Sequence, residues 1–158
     1  MAKTPESPRE CRTINEIKVG EEFVRDYTIT YADVVKFSEI CGDWNPVHHD
    51  EEFAKGTIFK KQIAHGMISV AKFSGILGMD LPGLGTIYLN QDVKFSRPAY
   101  LDTPYKAVMR VTEVDVENNK VTFETWCAGI DGTRILSGTA EAKPIPEKVR
   151  TKMNDEAA

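Results

Sequence analysis

Apolar positions change their period near the middle of the chain. Over residues 21–29 apolar and polar side chains alternate enough for a short strand, and Thr30 then offers an N-cap to a helix over residues 31–40. Val34, Val35, Phe37, Ser38 and Cys41 supply its inward face, and Gly42 ends it. Residues 42–50 read as a loop, because Asn45-Pro46 biases the backbone away from helical geometry. Asp50 can cap a short helix over residues 51–55 that closes at Gly56. Residues 65–78 are mostly apolar, with small side chains at Gly66, Ser69, Ala71, Ser74 and Gly75. That is the pattern of a central, buried helix of about four turns.

Beyond residue 85 the pattern is that of strands. Residues 86–95, 104–116, 120–130 and 133–143 are rich in β-branched and aromatic side chains, with turn signals at Arg97-Pro98, Asn118-Asn119 and Asp131-Gly132. They predict an antiparallel meander. With the early strand and the apolar helix, the expected class is α+β, a curved antiparallel sheet wrapped around a long central helix. A sheet covered on one face by one helix leaves edges that a homodimer can cover.

Composition narrows the function. The 158 residues carry 20 Lys+Arg against 24 Asp+Glu, a formal charge of −4, which argues against a protein that neutralises nucleic-acid phosphates or coats an anionic membrane. A chain of this size buries roughly 68–70% of the surface its unfolded form exposes, so its core needs neither disulfides nor structural metal. Cys11, Cys41 and Cys127 are odd in number and form no CxxC pattern, which fits a reducing cytoplasm. No apolar run approaches the length of a membrane span, and the first residues hold no signal-peptide core. Residues 1–15 and 147–158 read as flexible tails around a single domain over residues 16–146.

Chemistry concentrates in one stretch. His48, His49 and His65 are the only histidines, and Asp43, Asn45 and Asp50 lie beside them. Asp43 and His48 are separated by Trp44-Asn45-Pro46-Val47, and a loop stiffened by Pro46 can turn both toward one water, making a general acid/base pair. Asn45 can orient that loop through Asx-type hydrogen bonds. The blander reading of the same residues is a well-capped turn. His49 and Asp50 read as solvent-facing or capping groups, and His65 as either a helix-entry hydrogen bond or a ligand contact. Gly66 stands at the predicted start of the apolar helix, where backbone N–H groups lack helical partners and favour developing negative charge. A metal held by His48, His49, His65, Asp43 or Cys41 is disfavoured, since none of the familiar ligand spacings occurs. No G-x-S-x-G elbow, GxGxxG or P-loop is present.

The run Cys41-Gly42-Asp43-Trp44-Asn45-Pro46-Val47-His48, followed by Ala54, resembles the signature of MaoC-like (R)-specific enoyl-CoA hydratases. Ala64-His65-Gly66-Met67 leading to Phe73-Ser74-Gly75-Ile76-Leu77-Gly78 is similar to the central helix of that family. Leu81-Pro82-Gly83, Gly85-Thr86-Ile87-Tyr88-Leu89, and Val93-Lys94-Phe95 before Arg97-Pro98 extend the likeness over residues 16–143. The resemblance implies a hot-dog fold, a homodimer or higher oligomer, an acyl-CoA substrate and no cofactor. It implies that Asp43 and His48 activate the water that adds to a trans-2-enoyl-CoA, and that the Gly66 N–H polarises the thioester carbonyl. Asn45 and Pro46 would hold the catalytic loop, and Ser74 and Leu77 would border the acyl pocket. One departure is Ala99-Tyr100-Leu101-Asp102, where many members carry a small residue and Gly-Asp.

Two rivals remain at this level. A hot-dog thioesterase would direct water at the carbonyl carbon, and a non-catalytic acyl-CoA-binding or assembly subunit would do no chemistry. The D-x-N-P-x-H order favours hydration over the first, and retention of Asp43 and His48 counts against the second. Lys60, Lys61, Lys94 and Arg97 are candidate partners for the coenzyme A phosphates.

Overall fold

Burial alternates along the late strands as a sheet with one covered face requires. In Lys120–Gly129 the side chains of Val121, Phe123, Thr125 and Cys127 turn inward while Lys120, Thr122, Glu124 and Trp126 are half-exposed. The computed structural model describes the backbone of residues 11–157 and the side chains of residues 11–152. In chain order its elements are β1 (Glu22–Tyr27), α1 (Tyr31–Cys41), α2 (Pro46–His49), α3 (Glu51–Gly56), β2 (Ile63–Ala64) and α4 (Gly66–Met79). There follow β3 (Ile87–Phe95), β4 (Ala99–Tyr100), β5 (Tyr105–Asp115), β6 (Lys120–Gly129), β7 (Arg134–Lys143) and α5 (Glu147–Ala157).

Five strands form one antiparallel sheet in the order β1-β5-β6-β7-β3, and β2 pairs with β4 in a separate ribbon. The expected meander therefore holds for β5, β6 and β7 only. β3 lies on the far side of β7 and becomes an edge of the sheet. Register shifts near Tyr88, Val111 and Cys127 mark bulges that bend the strands around the helix. Phe73, Ile76 and Leu77 of α4 join Met109, Phe123, Leu136 and Ala140 of the sheet in one core.

Local chemistry sets the boundaries of the elements that carry the site. Thr30 and Asp33 form a reciprocal capping box at the start of α1, and Gly42 ends that helix in left-handed geometry at φ 77°. Within α1 only Val34 and Ser38 are buried, and Cys41, expected to face inward, is exposed. The expected loop over residues 42–50 contains one helical turn, α2. Asn45 is kept extended before the proline, while Pro46 takes the first helical position, where its missing N–H costs nothing.

Within the described residues, parts of both expected tails carry structure. Residues 11–15 pack against the body: Thr13 and Ile14 are buried, the Arg12 N–H donates to the Pro82 carbonyl, and Cys11 bridges Gly83. Residues 147–157 form α5, whose Arg150 pairs with Glu16 and Glu147, and Ile145 just before it is buried. Ile14, Ile17 and Ile145 are too widely spaced to show a local period, yet all enter the interior. The remainder of the first expected tail, residues 1–10, lies outside the described residues. Among the described residues no helix is long and apolar enough to cross a membrane.

β3 approaches β7 so closely at Gly138 that a Cβ there would stand 1.9 Å from the Asp92 carbonyl oxygen. Backbone cannot swing aside as a side-chain tip can. Gly138→Ala is expected to destabilise the chain by about 1–3 kcal/mol, the range for overpacking, read as a lower urea midpoint. An unchanged midpoint would contradict this register.

Candidate active site

Asp43, His48, His65 and Gly66 line one cleft of about 900 Å³ at the N-terminal end of α4. Phe37, Ile58, Ile63, Met67 and Phe95 make its walls mostly apolar, with Tyr100 from β4 at one side. A carboxylate, two imidazoles and a helix start thus converge in a largely apolar space, as ligand sites commonly require.

Asp43 is the first acidic residue after the left-handed turn at Gly42. Its Oδ1 accepts the Asn45 N–H at 3.1 Å, and Asn45 Oδ1 accepts the Val47 N–H at 3.1 Å. These two bonds fold the loop onto itself and leave Oδ2 facing the cleft. Oδ2 lies 3.8 Å from His48 Nε2 and 3.7 Å from His65 Nε2. Within this turn Asn45 is the cap of α2 and Pro46 its first residue.

His48 is 8% exposed and its Nδ1 lies 2.8 Å from the Ile63 carbonyl. A carbonyl only accepts, so Nδ1 carries the hydrogen and Nε2 presents a lone pair toward Asp43. Burial holds this imidazole below its ordinary pKa. The Ile63 and Asp43 oxygens pull the other way, and the neighbouring His65 and His49 add to the depression. The resting pair is thus two acceptors spaced 3.8 Å apart, which one water can bridge by donating a hydrogen to each.

Gly66 is the first residue of α4, and no side chain caps that helix. Its backbone N–H has no acceptor within the helix and sits at the positive end of the dipole. A Cβ at this position would come within 2.5 Å of the Phe95 ring, so the close approach of Phe95 requires glycine.

Sequence reasoning missed a second set of contacts behind the cleft. His49 Nε2 lies 2.9 Å from Ser38 Oγ, which is itself 3.4 Å from His65 Nε2. His65, 4% exposed, also has Nε2 at 3.0 Å from the Asp43 carbonyl and stacks on His48 with ring centroids 3.8 Å apart. A polar Ser38 among the inward positions of α1 was the one signal available. Asp50, by contrast, caps α3 as its sequence position suggested.

Ser74 and Leu77 do not reach this cleft in the single chain. Ser74 is exposed, and Leu77 is 2% exposed within the core. Eight residues along a helix turn Ser74 roughly 80° away from the Gly66 direction, and eleven carry Leu77 about 16 Å down the axis. Of the four candidate cations only Arg97 lines the cleft, while Lys61 Nζ sits 4.2 Å above the Tyr100 ring.

Asp43, His48 and His65 offer possible metal-ligand atoms within 4.8 Å of one another. The arrangement fits a metal poorly. The Asp43 carbonyl claims the hydrogen on His65 Nε2, so the lone pair of that ring falls on Nδ1, which is buried and unpartnered. Two ligand atoms then remain free, fewer than the three or four that zinc takes from protein.

A curved antiparallel sheet around one long helix, with a carboxylate and an imidazole facing a cleft at the helix start, defines a hot-dog protein. The chain belongs to the MaoC-like family: residues 13–133 match the MaoC like domain. It is 38% identical over 125 residues to the (R)-specific enoyl-CoA hydratase of Rhodospirillum rubrum, covering 79% of this chain and 86% of that protein. It is 34% identical over 133 residues to the 3-hydroxybutyryl-CoA dehydratase of Methylorubrum extorquens, covering 84% of this chain and 83% of that one. The solved (R)-hydratase of Aeromonas caviae superposes with a TM-score of 0.79 at 32% identity, over 82% of this chain and 98% of the other.

The depressed His48 pKa has a thermodynamic consequence. The unfolded chain takes up this proton before the folded chain does, so His48 adds nothing at neutral pH and lowers stability as the pH falls below the ordinary value of 6.5. An NMR titration of the His48 ring is expected to give a midpoint below 6.5. A midpoint at or above that value would show that the ring is not held neutral by burial.

Proposed function

We propose that this chain is an (R)-specific enoyl-CoA hydratase. It adds water reversibly to trans-2-enoyl-CoA, giving (R)-3-hydroxyacyl-CoA, and acts as a hydro-lyase in the reverse direction. The observation that carries the mechanism is the spacing of Asp43 Oδ2 and His48 Nε2, 3.8 Å apart, beside the N-terminus of α4.

In this reading a water donates one hydrogen to each acceptor and keeps a lone pair for C3 of the enoyl group. As its oxygen bonds to C3, one O–H bond breaks and the proton passes to the Asp43/His48 pair, with Asp43 as base. The C2=C3 electrons move onto the thioester oxygen as an enolate, which the Gly66 N–H stabilises. Removing such a donor typically costs about 2.7–4 kcal/mol. The pair then returns a proton to C2, so one water is added and the site regains its starting charge. No redox cofactor or metal takes part in the scheme.

Arg97 at the cleft wall is the cation best placed for a coenzyme A phosphate. The proposed assembly is a homodimer, supported by the β3 edge, where Ile87, Leu89 and Phe95 are all more than two-fifths exposed. The free thiols of Cys11, Cys41 and Cys127 support a cytoplasmic setting.

The test follows loss of enoyl absorbance with crotonyl-CoA and resolves the 3-hydroxy product on a chiral column. Asp43→Asn and His48→Gln are each expected to lower kcat by about 10²–10⁴-fold, with the (R) product lost in proportion. Hydration that survives Asp43→Asn would refute Asp43 as the base. Release of free CoA without hydration would favour a thioesterase, and neither activity a binding subunit. Prolonged dialysis against EDTA is expected to leave the rate unchanged, and a loss restored by added zinc would contradict the metal-free scheme. Sedimentation is expected to give twice the chain mass of 17.7 kDa, and a species of 17.7 kDa alone at micromolar concentration would remove the dimer.

A further inference from the structure

We propose that His65 is a positioning residue that locks the catalytic base to the oxyanion end of α4. The inference deepens the hydratase reading and rests on it. Two contacts of one buried ring and the peptide bond that follows it carry the argument.

The first contact is with the peptide of the base itself. Residues 42–46 are exposed, and Asp43 has 51% of its side chain open to solvent, so the loop's own packing does little to hold it. The His65 Nε2–H donates to the Asp43 carbonyl at 3.0 Å and ties that peptide to the start of α4. The carbonyl carbon and the carboxylate of Asp43 are separated by two side-chain torsions, and the Asn45 N–H restrains these by holding Oδ1. Together the two bonds determine where Oδ2 stands.

His65 is joined through its own peptide bond to Gly66, whose N–H is the proposed oxyanion donor. The base and the donor are therefore spanned by one hydrogen bond and one residue. In an addition across C2=C3, the attacking oxygen and the carbonyl oxygen sit at opposite ends of a short conjugated unit. Their separation must match a rigid substrate, and rate is sensitive to misplacement on the scale of 1 Å.

The second contact is with His48. The rings stack with centroids 3.8 Å apart and planes 30° apart, so His65 also backs the second acceptor of the pair. Ser38 Oγ, 3.4 Å from His65 Nε2, can accept a share of the same hydrogen while its own O–H donates to His49 Nε2 at 2.9 Å. That direction of donation runs from His65 through Ser38 to His49 and agrees with an Nε2–H tautomer. The cost is His65 Nδ1, left buried without a partner. A buried acceptor without a partner is destabilising, and this one sits beside the proposed reacting groups.

Two measurements test this. Long-range ¹⁵N–¹H NMR on the unmodified protein is expected to find the His65 proton on Nε2, and a proton on Nδ1 would overturn the proposal. In crotonyl-CoA hydration, His65→Phe keeps a buried ring but removes the donor. It is expected to lower kcat roughly 100-fold while KM stays within about threefold, the signature of a lost transition-state geometry. His65→Gln, which restores an N–H at similar reach, is expected to recover kcat to within roughly tenfold of the unmodified chain. Full kcat in His65→Phe, a rise in KM alone, or a folded His65→Gln as slow as the phenylalanine variant would each overturn it. Should His65→Phe fail to fold, His65→Met takes its place under the same criteria. Absence of hydration by the unmodified chain would instead strike at the hydratase reading, so the two failures are distinguishable.

Discussion

The apolar contact between α4 and the concave face of the sheet sets where everything else in the molecule can stand. Phe73 and Ile76 are fully buried in it and Leu77 nearly so, each contributing on the order of 1.5–3 kcal/mol relative to exposure. Only one polar side chain of α4, Ser69, is buried, and it is satisfied by the Tyr27 hydroxyl at 2.9 Å. Because this seam holds the helix along its length, its first residue is delivered to a fixed place at the end of the sheet. There β2, β4 and the end of β3 surround it. The cleft is the space left between that helix start and the loop that follows α1.

Within the cleft, position and protonation are decided by the same few bonds. The Ile63 carbonyl orients His48 and withdraws one ring nitrogen from chemistry, while burial keeps the other without a proton. The Asn45 N–H occupies one oxygen of Asp43 and leaves the second toward the cleft. The nearness of His65 and His49 adds to the burial that holds His48 below its ordinary pKa. His48 thus owes its acceptor character to burial, with the Ile63 carbonyl and the Asn45 N–H setting which atoms of the Asp43/His48 pair face the cleft.

The two sides of the sheet are managed differently. On the outer face Trp126 lies beneath the guanidinium groups of Arg110 and Arg134, which in turn pair with Glu22 and Glu124. Exposed ion pairs of this sort add little stability individually, but they keep an aromatic surface covered. The β3 edge carries no such cover: Ile87, Leu89 and Phe95 stand open along it. That contrast underlies the choice of β3 as the face for a second copy.

Much of the molecule was legible in the residues alone, and the boundary is physical. Helix caps at Thr30, Asn45 and Asp50 act within three residues, strand alternation repeats every two, and the turn that brings Asp43 toward His48 closes within five positions. Such features are local and can be read in order. The packing of Ile14 and Ile145, the crossing of β3 to the side of β7, and the removal of Leu77 from the cleft into the core depend on the completed sheet. The same holds for the Ile63 carbonyl behind His48, 15 residues away, and for Ser38 beside His65, 27 residues away. A backbone carbonyl has no residue type to announce it, and a serine on a helix reveals its partner only when a second helix is packed beside it. The sequence by itself determined that Asp43 and His48 could act on one point, because their spacing is local. Tertiary structure decided how His48 and His65 are aimed, because the Ile63 carbonyl and Ser38 come from distant segments brought to them by burial of the core.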